Sequence, residues 1–292
     1  MSEEAAKGKI GIDVWTPMAR KASKEVFPNA EFVGTDVLDE AKMVKTEDEL
    51  NCLKIAYAIT EAGMREGLDF LKPGVRECEV LAKVWEKMTA LGSEWTQCSN
   101  IVCSDPYTTP YRRFTSDRLI QEGDLVIIDV GGYYNGYWGD FTRTYLCGDI
   151  EATETQKKVH QQAYDALWKA TEAAKPGNTN QDLVPEGNLD VDPEYNLGGV
   201  WGHGSGVNPW EAPDLSSWSK EAIELKPKMQ FNIEPYSGDS EARQGVRLEN
   251  NIIVKEDGPE VYSTFPFDSR LLDEVHPLDE TTGRKDPVKF FE

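Results

Sequence analysis

Apolar positions along this chain recur with two periods, and the alternation between them predicts a mixed α/β succession. After a strand-like start at Lys9 to Val14, residues Pro17 to Val26 predict a helix stopped by Phe27-Pro28-Asn29, and Glu31 to Val33 predict a short strand. Thr46-Glu47-Asp48-Glu49 has the form of a capping box, with a hydroxyl for the amide three residues on and a carboxylate that reaches back. Behind it Leu53, Tyr57, Thr60, Met64, Leu68 and Leu71 keep helical spacing until Lys72-Pro73-Gly74 ends the run. A second helix carries Val80, Leu81, Val84, Trp85, Met88 and Leu91 up to Gly92.

Strand character then takes over, from Trp95 to Val102 and again from Leu125 to Leu146. Thr153-Glu154-Thr155-Gln156 is another capping box, opening a helix through Val159, Ala163, Leu167 and Ala170 to Ala174 that closes on Lys175-Pro176-Gly177. The two Lys-Pro-Gly stops lie 176 − 73 = 103 residues apart, which predicts a duplicated organisation of two half-domains. Pro185 to Pro193 reads as a surface loop, followed by Gly198 to Gly206, a strand at Met229 to Glu234 and a last strand at Val246 to Val254.

Several carboxylates interrupt this pattern. The apolar run Leu125-Val126-Ile127-Ile128 ends on Asp129, and after turn residues Gly131, Gly132, Asn135 and Gly136 a β-branched and aromatic strand returns with Asp140 at its start. An acid at the end of a buried strand requires a cation or a set of donors, and two acids brought together by a hairpin can bridge metal ions. Glu234 ends the run Met229 to Ile233, Glu249 sits inside Gly245 to Val254, and His203 lies in Gly202-His203-Gly204-Ser205-Gly206, where no large side chain screens the imidazole.

Charge and cysteines narrow the partners. A length of 292 residues with 39% hydrophobic and 10% aromatic residues supports a substantial core, and 52 acids against 31 bases give a net charge of −21, which disfavours nucleic acid and anionic membranes. No window approaches a membrane span, and the start lacks the pattern of a secretory leader, so a cytoplasmic location is expected. Cys52, Cys78, Cys98, Cys103 and Cys147 are odd in number and form no C-x-x-C pair, the usage of reduced thiols, with Cys98 and Cys103 the nearest approach to a redox pair.

The order Asp129, Asp140, His203, Glu234, Glu249 in the contexts IDVGGYYNGYWGDFTRT, GHGSG, NIEP and GVRLEN resembles the methionine aminopeptidase, prolidase and creatinase superfamily over about residues 46 to 270. The resemblance implies an α+β pita-bread fold, two pseudo-symmetric α/β halves with a central antiparallel sheet, as the domain 46–292. Residues 1–45 are then the remnant of an N-terminal α/β domain and linker. It also implies two divalent metal ions: Asp129 and Asp140 bind and bridge them, His203 and Glu234 bind one, Glu249 bridges, and Glu234 accepts a proton from water at the metals. The donor set favours manganese, iron, cobalt or zinc, with manganese the first expectation. A homodimer is expected, with a separate chain as the other source of the missing N-terminal half.

Two departures bear on the substrate. Superfamily peptidases continue the histidine motif as H-G-x-G-x-x-x-H-E-x-P, whereas this chain places Trp210 where the second histidine is expected. The histidine of an upstream P-H-x-x-P-like stretch is also missing from Pro110-Tyr111-Arg112-Arg113-Phe114, where Tyr111, Arg112 and Arg113 offer donors for a carboxylate. Gly92-Ser93-Glu94-Trp95, Trp210-Glu211 and Thr264-Phe265-Pro266-Phe267-Asp268 resemble stretches of the superfamily's dimethylsulfoniopropionate lyases, although Gly131 stands where those carry an extra acid. Trp95, Trp201, Trp210 and Tyr111 form a candidate apolar wall. The first expectation is a dinuclear hydrolase of a small amide or Xaa-Pro-like dipeptide. The second is a lyase of a small zwitterionic carboxylate, and the third is a degenerate binding subunit, against which the retention of all five ligands counts. His160 and His276 are given no role.

Overall fold

In the computed structural model, which describes residues 7–95, 100–111, 113–184, 200–216, 219 and 221–279, two units divide the chain at Met43/Val44. The first pairs β1 (Lys9–Ile12) with β2 (Glu31–Gly34) in parallel across α1 (Pro17–Val26). Thr16 caps α1 by accepting from the Ala19 amide, with proline at the first helical position. A helix not expected from the sequence, α2 (Val37–Met43), closes the unit, and neither helix buries a residue.

In the second unit α3 (Glu47–Phe70) begins on the expected reciprocal cap: the Glu49 amide donates to Thr46 Oγ1 at 3.3 Å and the Thr46 amide to Glu49 Oε2 at 2.7 Å. Its inner face, with α4 (Glu77–Ala90), covers one face of a three-stranded antiparallel sheet of β3 (Ile101–Ser104), β4 (Leu125–Val130) and β7 (Phe141–Leu146). Ile59, Met64, Val80, Val84 and Met88 pack there against Val102, Val126, Ile128 and Val130. Alternation along the strands therefore turns Ile101, Ile127 and Asp129 to the opposite face, away from the helices. Of the strand expected at Trp95 to Val102, residues 96–99 lie outside the described residues, and β3 begins at Ile101, directly after Asn100 with a left-handed φ of 51°.

Between β4 and β7 the chain forms a second, smaller hairpin of β5 (Tyr133–Tyr134) and β6 (Tyr137–Trp138). Asn135 and Gly136 turn it with φ of 48° and 86°, the two positive values that such a two-residue turn requires. This hairpin lies directly on α3. The Gly132 amide donates to Thr60 Oγ1 at 2.8 Å, and a Cβ on Gly139 would meet that same oxygen at 2.5 Å and the Ala56 carbonyl at 2.8 Å.

The helix α5 (Glu154–Ala173) opens on its own reciprocal cap, Thr153 with Gln156. The repeated Lys-Pro-Gly marks a repeated local structure. Gly74 and Gly177 have φ of 90° and 91°. Two residues later Arg76 bridges Leu119 and Thr179 bridges Glu224, each just before a new helical turn. The rest of the unit is a five-stranded sheet in the order β14-β13-β10-β8-β9 and a separate β11-β12 pair. These strands are β8 (Val200–Gly204), β9 (Glu211–Ser216), β10 (Gln230–Ile233), β11 (Tyr236–Asp239), β12 (Gln244–Arg247), β13 (Asn250–Lys255) and β14 (Gly258–Val261).

The single strand expected at Val246 to Val254 is thus two. β12 pairs with β11, β13 pairs with β10 and β14, and the chain changes partners at Leu248 and Glu249. The expected loop at Pro185 to Pro193 lies outside the described residues, as does Cys98. Cys103 is buried, its thiol donates to the Tyr107 carbonyl at 2.9 Å, and burial pushes that thiol up to about 12. No helix among the described residues is long and apolar enough to cross a membrane.

Candidate metal centre

Strands, strand ends and a crossover carry the five residues that the sequence offers as candidate ligands. Asp129 is the fifth residue of β4, paired with Thr142 on one side and Ile101 on the other, and Asp140 immediately precedes β7. His203 lies on β8 opposite Asn232 of β10, and Glu234 follows the end of β10 with its amide bonded to the Trp201 carbonyl at 2.8 Å. Glu249 occupies the change of partner between β12 and β13. Gly202 (φ 150°) is required beside His203, since a Cβ there would overlap the Asn232 carbonyl. All five residues are buried, none more than 3% exposed.

They are brought within electrostatic reach of one another. His203 Nδ1 lies 2.9 Å from the Gly204 carbonyl, which fixes the proton on that nitrogen and turns Nε2 toward the acids. Nε2 is 3.2 Å from Glu234 Oε1 and 3.6 Å from Asp140 Oδ2. Burial lowers the imidazole's affinity for a proton, but the Glu234 hydrogen bond and charge, with Asp140, raise it above the ordinary histidine value. Burial, reinforced by the charges of Asp140, Glu234 and Asp129, pushes the Glu249 carboxyl well above the usual carboxylate range. Glu249 Oε1 accepts from Asn251 Nδ2 at 2.8 Å, and Oε2 has no hydrogen-bond partner among the described residues.

The residue that the sequence reading passed over is Arg247. Its guanidinium pairs with Glu234 Oε2 and lies over the Tyr111 ring, 4.3 Å from the centroid. Burial works the other way, yet the Arg247 charge and the His203 contact hold Glu234 down to about 2. An arginine two positions before Glu249 in a strand-like segment was the available signal, because a buried charge requires a partner. Behind the site Arg143, fully buried, donates to the backbone carbonyl of Glu249 and to that of Phe265.

Four buried carboxylates thus face one guanidinium and one imidazole, an excess of negative charge that divalent cations would neutralise, and the oxygen-rich set with one nitrogen suits them. Among the described residues no three of these donors stand at the close spacing a bound ion imposes on its ligands. What suits a cation there is the donor chemistry itself, together with the Glu249 Oε2 that has no hydrogen-bond partner among the described residues. The residues fit the two-ion group.

The expected substrate contacts divide. Tyr111 donates to Asp129 Oδ2 at 3.0 Å and packs on Tyr236, with centroids 5.2 Å apart. Trp210 is half-exposed and stacks on the His203 imidazole, with centroids 4.7 Å apart and planes 25° apart. Arg112 lies outside the described residues. Arg113 stacks over Tyr107 and lines a cavity of about 330 Å³ with Glu77, Cys103 and Phe114 to which none of the five ligands contributes. Of the four aromatics expected to form a wall, the Trp210 ring stacks on His203 and the Tyr111 hydroxyl reaches Asp129, whereas Trp201 is buried in the core and Trp95 is exposed. His160 is fully buried on α5, and His276 stacks on Trp168.

Comparison with known proteins agrees with this geometry. The model of metallopeptidase family M24 matches residues 51–256, a span that contains all five residues expected as ligands. An Xaa-Pro dipeptidase of Pyrococcus furiosus is 32% identical over 227 residues, 76% of this chain and 64% of the relative, so the chain spans a little under two thirds of that protein's length. A probable dipeptidase of Mycobacterium tuberculosis is 34% identical over 235 residues, 77% of this chain and 60% of the relative. Among solved structures, an Xaa-Pro dipeptidase from Bacillus anthracis matches with a TM-score of 0.78 and 29% identity, covering 89% of this chain and 74% of that one. The prolidase from Pyrococcus furiosus matches with a TM-score of 0.78 and 29% identity, covering 90% and 78%. The fold is accordingly the α+β pita-bread class expected from the sequence.

Proposed function

This chain belongs to metallopeptidase family M24, and on that footing we propose that it is a metal-dependent hydrolase of short peptides, acting on dipeptide-like substrates of the Xaa-Pro type named in its relatives. The observation that carries the reading is the convergence of His203, Asp140 and Glu234 beside the half-exposed Trp210, with Glu249 in reach of the charges of Asp140, Glu234 and Asp129.

Asp129, Asp140, His203, Glu234 and Glu249 would hold two divalent ions, manganese first, with iron, cobalt or zinc accepted by the same donors. Bound there, such ions acidify a water and polarise a carbonyl. The chain's own groups do the rest. Arg247 keeps Glu234 ionised, so Glu234 can accept a proton at Oε1 during attack on the amide. The Gly204 carbonyl holds His203 in one tautomer. Tyr111 and Trp210 form two walls of the substrate pocket, one polar and one a flat apolar ring. We extend the reading to a homodimer working in the cytoplasm.

Trp210 also favours a second reading. It stands where superfamily peptidases place a histidine donor to the developing oxyanion, and loss of one such donor typically costs about 3–4 kcal/mol of barrier. A lyase that removes an α-proton from a small zwitterionic carboxylate needs none there. Products separate the two. Protein loaded with manganese, iron, cobalt or zinc is offered an Xaa-Pro dipeptide panel and a panel of small zwitterionic carboxylates. Release of free amino acids supports the hydrolase. An unsaturated acid formed without uptake of water replaces it with the lyase, and no turnover of either set with metal verified in the protein overturns both.

A further inference from the structure

Beside the metal ligands, one buried ion pair has no part in holding a cation. Lys45 Nζ lies 2.7 Å from Glu211 Oε2, with side chains 2% and 1% exposed. Lys45 is anchored by its backbone at the foot of the strand that ends in Glu234: Val44 bridges Met229, and the Lys45 amide donates to the Lys228 carbonyl at 3.1 Å. Glu211 follows Trp210 directly. Its second oxygen accepts from the Asn208 amide at 3.0 Å, and the Gly206 amide donates to the Asn208 carbonyl at 3.0 Å. The turn 206–211 is therefore wrapped around this carboxylate so closely that a Cβ on Gly206 would meet Glu211 Oε2 at 2.6 Å.

A buried ion pair is a poor source of net stability, because desolvation offsets the attraction and an apolar pair of the same size serves about as well. An apolar pair has no acceptor for the Asn208 amide, however, and no directed bond to set where the turn sits. We infer that Lys45 is a positioning residue: through Glu211 it fixes the 206–211 turn so that the Trp210 ring stays stacked on His203 and forms one wall of the substrate pocket. This rests on the reading of the centre as a peptide hydrolase, but the turn itself is observable without substrate.

The test uses Lys45→Met, Lys45→Arg and Glu211→Gln in the full chain, the last keeping an acceptor for Asn208 if the first fails to fold. Amide exchange over 204–211, followed by mass spectrometry, is expected to accelerate in Lys45→Met and in Glu211→Gln and to return toward the parent rate in Lys45→Arg. With a dipeptide substrate, KM is expected to rise about tenfold, the usual scale for a partner that orients a contacting group, with kcat little changed. Because the effect runs through Trp210, the KM change should vanish when the same substitutions are made in a Trp210→Ala background. Unchanged exchange in 204–211 overturns the inference, as does a KM penalty that persists in the Trp210→Ala background. A fall in rate that only tracks the folded fraction overturns it as well. If the parent protein turns over no peptide, the hydrolase reading fails, and the exchange rates alone decide whether the pair fixes the turn.

Discussion

His160 provides the sharpest test of the packing, because its cost can be worked from the structure. The imidazole is fully buried on α5, stacked on Tyr164 with centroids 6.5 Å apart, and neither ring nitrogen has a hydrogen-bond partner among the described residues. Burial lowers its proton affinity from 6.5 to about 3, with Asp268 opposing and Arg143 adding to that effect. The sign follows from linkage. The unfolded chain takes up a proton near pH 6.5 while the folded one does not, so stability present above that pH is lost as the pH falls from 6.5 toward 3. At about pH 5 the loss from this residue is roughly 2 kcal/mol, from 1.5 pH intervals at about 1.4 kcal/mol each. His160→Phe keeps a ring in the stack and removes the titration. Urea unfolding of both proteins at about pH 7.5 and about pH 5 should show the parent losing roughly 2 kcal/mol more than the variant. Equal losses in the two proteins would refute the assignment of a buried, neutral, unpartnered imidazole.

Three further outcomes follow from the centre. Manganese added at about a hundred times its dissociation constant should stabilise the metal-free protein by about 2.7 kcal/mol per ion in a thermal melt, and Glu249→Gln should lose most of that gain. Arg247→Met strands the buried Glu234 carboxylate and should cost about 3–5 kcal/mol in urea unfolding of the metal-free protein, a cost that bound metal partly restores. Gly139→Ala drives a methyl into Thr60 and Ala56 beside Asp140 and should cost about 1–3 kcal/mol, with a weaker metal affinity by calorimetry than stability alone explains.

The parts of this molecule that the sequence displays are those in which neighbouring residues satisfy one another. Both capping boxes, the Asn135-Gly136 turn and the two Lys-Pro-Gly stops are local bargains between residues at most a few positions apart, and each is found where its pattern stands. The five candidate ligands stood out in the sequence for the opposite reason, as titratable groups set in segments that had no local means of satisfying them. What stayed hidden depends on partners distant in the chain. Nothing near Lys45 points to Glu211, 166 positions away, and nothing within Val246 to Val254 records that β12 and β13 bond to different strands. Strand pairing is a property of the sheet, so this stretch by itself could not reveal the crossover that carries Glu249. Arg113, expected as a donor for a substrate carboxylate, lies over Tyr107 and lines a cavity to which the five candidate ligands do not contribute, a placement its local sequence does not record.

The spacing of the centre is set largely by groups that do not ligate. Asp129 and Asp140 come from the sheet of the first half and His203 and Glu234 from that of the second, so neither half alone contains the site. The seam between them is backbone: Thr144 Oγ1 donates to the Arg247 carbonyl at 2.8 Å and lies 3.1 Å from the Arg247 amide, while the neighbouring Arg143 holds the Glu249 carbonyl. β7, which starts beside Asp140, thereby fixes the main chain on which Arg247 and Glu249 stand. These bonds run through main-chain atoms and through Thr144 and Arg143, so substituting Asp140 or Glu249 leaves them in place. Loss of activity in an Asp140→Asn or Glu249→Gln variant that still folds is then a statement about the chemistry of the cation site, not about the scaffold. A scaffold built this way can also hold four acids together before any cation arrives, because the strands, and not the ion, bring them into register.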